Sequence, residues 1–243
     1  MKIIAASLLL LTLAAGCQGG SAPVATGTIP APAATVSAAP SAAPATPAPA
    51  ESRAPAATAS PAASIAASAA PASAGEVRQQ VEAAAAKAVT ALKERDWAAL
   101  ALAAHPDKGV RMSPYVHVDT KQDVVLTREE IKRLQDDKTV RTWGSYDGSG
   151  EPIKLTFAQF YDKFLYNHDY AKPEKSAYDE PIGKGNTVNN IKEVYPGSHF
   201  VEYYFSGFDP KVQGMDWASL ILVFEEKGGA WYLTGLVRNQ WTI

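Results

Sequence analysis

The sequence predicts one α+β domain at the C-terminal end of the chain, and three features predict it. Stretches of helical period come first and long stretches of strand period come last. Nothing before about residue 76 carries the aromatic content of a core. The strongest strand signal spans 217–243. In its first arm Leu220, Leu222 and Phe224 share one face and Ile221 and Val223 the other, so this arm belongs inside a sheet covered on both sides. Lys227-Gly228-Gly229-Ala230 makes the turn, its glycines accepting the positive φ of a tight hairpin. In the second arm Trp231, Leu233, Val237 and Trp241 alternate with Tyr232, Thr234, Leu236, Arg238 and Gln240, and a bulge at Gly235 would move Arg238 and Gln240 to the opposite face.

From the start of the chain, residues 1–16 have one charge, Lys2, then an apolar run from Ile3 to Leu13. That run is shorter than the roughly 20 residues a bilayer requires and has the form of a secretory signal peptide. Leu13-Ala14-Ala15-Gly16-Cys17 resembles the lipobox of bacterial lipoproteins, and Cys17 is the only cysteine. The resemblance implies cleavage before Cys17, a diacylglyceryl thioether on its sulfur and acyl chains such as palmitate holding the mature protein to a membrane. Two or more chains make such an anchor stable. Gln18 is not the aspartate that retains lipoproteins in an inner membrane, so the implied location is extracytoplasmic, on the cell membrane or on the outer membrane of a two-membrane bacterium.

Residues 17–75 are Ala, Pro, Ser and Thr with few others, which predicts a disordered linker. Stiffened by prolines such as Pro44, Pro47 and Pro49, it reaches on the order of 180 Å when extended as polyproline II, long enough to serve as a stalk.

Residues 76–243 suffice for one core. Acidic residues outnumber basic ones there by three, which argues against a nucleic-acid partner or a polybasic membrane face. Val77, Val81, Ala84, Ala85, Ala88, Val89 and Leu92 recur at helical spacing opposite Arg78, Glu82, Lys87 and Lys93. Asp96 caps a second helix that Pro106 ends, and a turn and short strand follow through 107–115. Thr127 and Glu130 form a capping box for a helix over 128–135. Residues 142–153 read as a glycine-rich loop flanked by aromatics. Thr156 starts a helix sharing Phe157, Phe160, Tyr161 and Phe164 on one face, and 199–205 is a strand.

Helices followed by three long antiparallel strands, with the opening Ala91-Leu92-Lys93-Glu94-Arg95-Asp96-Trp97, resemble the NTF2-like cone. The resemblance implies N-terminal helices packed on a curved antiparallel sheet around a pocket. His105-Pro106, Lys108-Gly109-Val110-Arg111, Trp143-Gly144, Tyr146-Asp147-Gly148-Ser149-Gly150, Gly214-Met215-Asp216-Trp217 and Gln240-Trp241-Thr242-Ile243 are similar to phrases in a family of bacterial lipoproteins and secreted proteins to which no activity is attached.

His105, His117, His168 and His199 show no metal-ligand spacing, and no metal or other cofactor is expected. Asp147-Gly148-Ser149-Gly150 lacks the further acidic positions of an EF-hand and reads as a turn. Gly183-Lys184-Gly185-Asn186 lacks the spacing of a phosphate loop, and Ser113 and Ser149 sit in no nucleophile-elbow pattern. His168-Asp169 reads as a histidine satisfying helix carbonyls, with an acid/base pair as the alternative. The expected pocket combines Arg111, Trp143, Tyr146, Asp216, Arg238 and Gln240, polar groups converging on an apolar cavity as in small-ligand sites. The expected function is a lipid-anchored domain that presents a site for a small ligand or cell-wall component. The alternative is a cone enzyme of isomerase or hydrolase type using a pocket carboxylate or histidine.

Overall fold

The computed structural model describes residues 72–242. The leader, Cys17 and nearly all of the linker lie outside the described residues. α1 (Ala74–Glu94) begins two residues before the boundary set by composition. Ser73 and Glu76 form a reciprocal capping box at its start, and Arg95 ends it in the left-handed conformation. Asp96 caps α2 (Trp97–Ala103) as expected, its carboxylate accepting from the Ala99 amide.

β1 (Val110–Ser113) and β2 (Val124–Leu126) follow, then α3 (Arg128–Lys132), which has the expected Thr127–Glu130 box. α3 stops short of Gln135, because Arg133 turns out of helical geometry. The stretch read as a glycine-rich loop is a hairpin, β3 (Val140–Ser145) with β4 (Pro152–Thr156). The loop is confined to Tyr146–Gly150, closed by the Gly150 amide donating to the Tyr146 carbonyl. α4 (Phe157–Phe160) continues as a π turn, Tyr161–Leu165, and the remaining elements are β5 (Lys175–Tyr178), α5 (Ile191–Val194), β6 (His199–Phe205), a 3-10 turn (Pro210–Val212), β7 (Ala218–Lys227) and β8 (Ala230–Gln240).

The main sheet has the order β2-β1-β8-β7-β6-β5. The expectation of a wholly antiparallel sheet needs one correction: β1 runs parallel to β8, with Met112 opposite Leu236. A strand arriving through the long α1–α2 excursion is free to join in this sense, whereas hairpin partners are not.

Both faces of β7 are covered, as its composition predicts. Leu220, Leu222 and Phe224 pack with Val81, Ala85, Ala88, Val89 and Leu92 of α1, while Ile221 and Val223 pack with Phe200, Tyr195, Ile191 and Val237 on the second face. The bulge occurs: Phe224 faces Leu233 and Val223 faces Gly235, leaving Thr234 as the extra residue. Register then places Leu233, Leu236, Arg238 and Gln240 together on the α1 side, with Arg238 opposite Leu220.

Candidate functional site

The six residues expected to form one pocket are distributed over five places. Trp143 is fully buried core, stacked on Phe160 at 4.2 Å, its indole donating to the Leu155 carbonyl at 2.9 Å. Tyr146 borders a cavity of about 230 Å³ and its hydroxyl accepts from Lys163. Arg111 leaves the second face of the sheet and donates to the carbonyls of Thr120 and Asp123. Gln240 is half-buried at the end of β8. Only Arg238 and Asp216 belong to one neighbourhood, and His168 lies between their charges: burial and Arg238 lower its pKa while Asp216 opposes them.

Arg238 is 1% exposed. Its Nη1 donates to the Ser219 carbonyl at 2.8 Å and the Asn239 carbonyl at 2.7 Å, its Nε is buried with no hydrogen-bond partner, and the Tyr170 ring lies 5.8 Å from the guanidinium carbon. No ion pair joins it to an acid among the described residues. Enclosure pulls its pKa below the usual arginine value, yet a guanidinium stays charged across the physiological range. His168 does not satisfy helix carbonyls and does not pair with Asp169. Its ring stacks on Phe208 at 3.8 Å, and Asp169 is taken by Lys93 and the Tyr166 hydroxyl.

Two buried carboxylates occupy the second face. Glu202 is fully enclosed and accepts from the Ile182 and Gly183 amides and the Ser219 hydroxyl. Burial raises its pKa against those donors. A Cβ on Gly183 would sit 2.4 Å from the Trp217 ring and 3.0 Å from the Glu202 carboxylate, so only glycine brings this loop close enough to be held. Asp123 accepts from the Ser113 hydroxyl at 2.6 Å and the Asp119 amide at 3.0 Å and borders the cavity that Tyr146 lines. Burial, opposed by the Ser113 bond, pushes its carboxyl up to about 6.

The sign of that shift sets a pH dependence. A folded-state pKa above the unfolded one favours the protonated fold, so the contribution is complete below about pH 4 and is lost as pH rises through about 6. His105 and His168, both lowered by burial, act in the opposite sense below about pH 6.5. The difference between wild type and Asp123→Asn therefore isolates the carboxyl. Urea unfolding should show the variant gaining relative to wild type by about 2 kcal/mol between pH 4.5 and 7.5. A difference that does not change with pH would contradict the assignment.

Sequence reasoning missed one further constellation. His199 Nδ1 lies 2.5 Å from Asp179 Oδ2 and 2.7 Å from the Tyr178 hydroxyl, with Asp179 in the left-handed region at φ 54°. The two members stand 20 residues apart, and only the β5–β6 pairing, with Tyr178 opposite Val201, brings them together. An aspartate on Nδ1 fixes the ring's tautomer and orientation.

A cleft of about 970 Å³ lies between α1, α2 and the β7–β8 turn. Its walls include Ala83, Ala86, Ala99 and Leu102, with Phe224 and Trp231 between them, and among the described residues no buried unpartnered group lines it. Among the described residues no cluster of histidine, cysteine and acidic side chains is arranged to hold a metal ion, and no helix is long and apolar enough to cross a membrane.

No family model and no curated protein matches the chain. Among solved structures, a Xanthomonas campestris protein described as a calcium/calmodulin dependent protein kinase II association domain aligns with 67% of this chain and 86% of its own length, at 13% identity and a TM-score of 0.30. An overlap that loose carries no argument about ligand or activity. What the described residues themselves establish is a mixed α+β domain with one six-stranded sheet, covered on one face by α1 and on the other by α5 and its loops.

Proposed function

We propose that this chain is a lipid-anchored extracytoplasmic protein whose 76–243 domain, an NTF2-like cone carried on the linker as a stalk, binds a small ligand or cell-envelope component. The lipobox-like Leu13-Ala14-Ala15-Gly16-Cys17 supports the anchor, and helices preceding a sheet that ends in β6, β7 and β8 support the cone. The observation that carries the binding reading is Arg238, a permanent cation enclosed at the end of the core without an acidic partner among the described residues. A buried charge left uncompensated costs several kcal/mol, and a ligand that supplies the missing acceptor recovers part of it.

The test is a thermal-unfolding screen of the full chain against envelope metabolites and cell-wall fragments. The reading predicts at least one compound class that raises the midpoint in a saturable manner, and a response to none of them would contradict it.

The second reading, a cone enzyme, is favoured by the Asp179–His199 pair, in which the carboxylate positions imidazole as a general base. His199 is about 30% exposed on its side chain and therefore reachable from solvent.

A further inference from the structure

The atoms through which Arg238 is held decide what kind of ligand it accepts. Both of its hydrogen bonds leave from Nη1, to the carbonyls of Ser219 and Asn239 on paired strands. These fix the plane of the guanidinium to the sheet. The opposite edge, formed by Nε and Nη2, is the edge whose two parallel N–H groups match the two oxygens of a carboxylate. Nε is buried there without a partner. A guanidinium needed only to brace the sheet end would leave no such edge idle, since an enclosed unsatisfied donor is destabilising.

The surroundings define the rest of the ligand. From Arg238 the Tyr170 ring leads to Phe205 at 5.7 Å and His168 at 6.1 Å, and both meet Phe208, at 5.5 Å and 3.8 Å. Tyr170 is fully buried and Phe208 is 46% exposed, so this run of rings extends from the guanidinium to the surface.

Phe208 belongs to the loop that Asp216 ties back by accepting the Phe208 and Asp209 amides. Gly207, at φ 146°, lets that loop close, because a Cβ there would meet Asp216 Oδ1 at 2.8 Å. The charged and titratable groups facing this region are Arg238, Asp216, His168 and Tyr170; burial and Arg238 lower the His168 pKa, and burial raises that of Tyr170. One cation with an acid beside the entrance suits a monoanion better than a doubly charged phosphate.

Resting on the binding reading above, we infer that the ligand is a monocarboxylate with a flat apolar body, its carboxylate on the Nε edge of Arg238 and its body along Tyr170 and Phe205, admitted when Phe208 moves off His168.

Benzoate serves as the probe, with benzamide as its neutral isostere and inorganic phosphate as the dianion. In ¹H–¹⁵N spectra of the full chain, with the Arg238 Nε–H resonance assigned through Arg238→Lys, benzoate should shift that resonance saturably. It should also raise the unfolding midpoint. Benzamide should do neither, and phosphate should bind at least about tenfold more weakly than benzoate. Arg238→Lys keeps a point charge but loses the fork and should bind benzoate at least about tenfold more weakly. The wild-type unfolding midpoint, compared between benzoate and benzamide, reports whether or not that variant folds.

If benzamide matches benzoate, or if the Nε–H resonance stays still while neutral compounds raise the midpoint, the ligand class is wrong and the binding reading stands. If no compound of any class moves either observable, both fail together.

Discussion

Trp143→Ala is expected to remove about 3–5 kcal/mol of unfolding free energy, the cost typical of truncating a large buried aromatic. The indole is 0% exposed, lies parallel to Phe160 at 4.2 Å and meets Phe157 at 6.1 Å. Truncation would leave a cavity lined by Phe157 and Phe160 and would strip the Leu155 carbonyl of its donor. Because domains of this size have only about 5–15 kcal/mol in total, urea denaturation should show a large fall in midpoint. Trp143→Phe, which keeps one ring against Phe160 but loses the N–H and part of the indole volume, should cost less than the alanine variant. A loss below about 1 kcal/mol for the alanine variant would show that β3 and β4 are not fastened to the core through this ring.

Cys17→Ala is expected to have the largest cellular effect. With the sole thiol removed, no sulfur remains to carry a diacylglyceryl group. Incorporation of labelled palmitate should fall to background, while the 76–243 domain, which contains no cysteine, should unfold at an unchanged midpoint. Undiminished labelling would remove the anchor from the proposal.

Local signals in the sequence were the most reliable guide to the fold. Asp96, and Thr127 with Glu130, cap their helices through contacts three residues away, so the information is contained within one turn. The alternation of β7 identified both cores, because a strand apolar on both sides has to be covered on both.

The sequence was least legible where function is concerned, since sites depend on which distant strands become neighbours. Trp143 and Tyr146 belong with Arg238 on the expectation of polar groups converging on an apolar cavity, yet the β3–β4 hairpin turns Trp143 into the core. Arg111 was separated from Arg238 by the parallel pairing of β1, which aligns it with Gly235 and aims it at the second face. No periodicity announced that pairing. Asp179 and His199 are not legible in the sequence, because they stand 20 residues apart and meet only through the β5–β6 pairing, unlike the adjacent His168-Asp169. Arg238 itself was legible as a polar residue in an apolar strand, and the bulge weighed at Gly235 decides which face it takes.

The account depends above all on Arg238 being held ready for an anionic group. Isothermal titration of benzoate into the full chain and into Arg238→Lys, at one pH and salt concentration, measures this directly. The prediction is one-to-one binding by wild type and an affinity at least about tenfold lower in the variant, both proteins being folded before titration. Equal affinities in the two proteins, or no heat of binding in wild type, would contradict it.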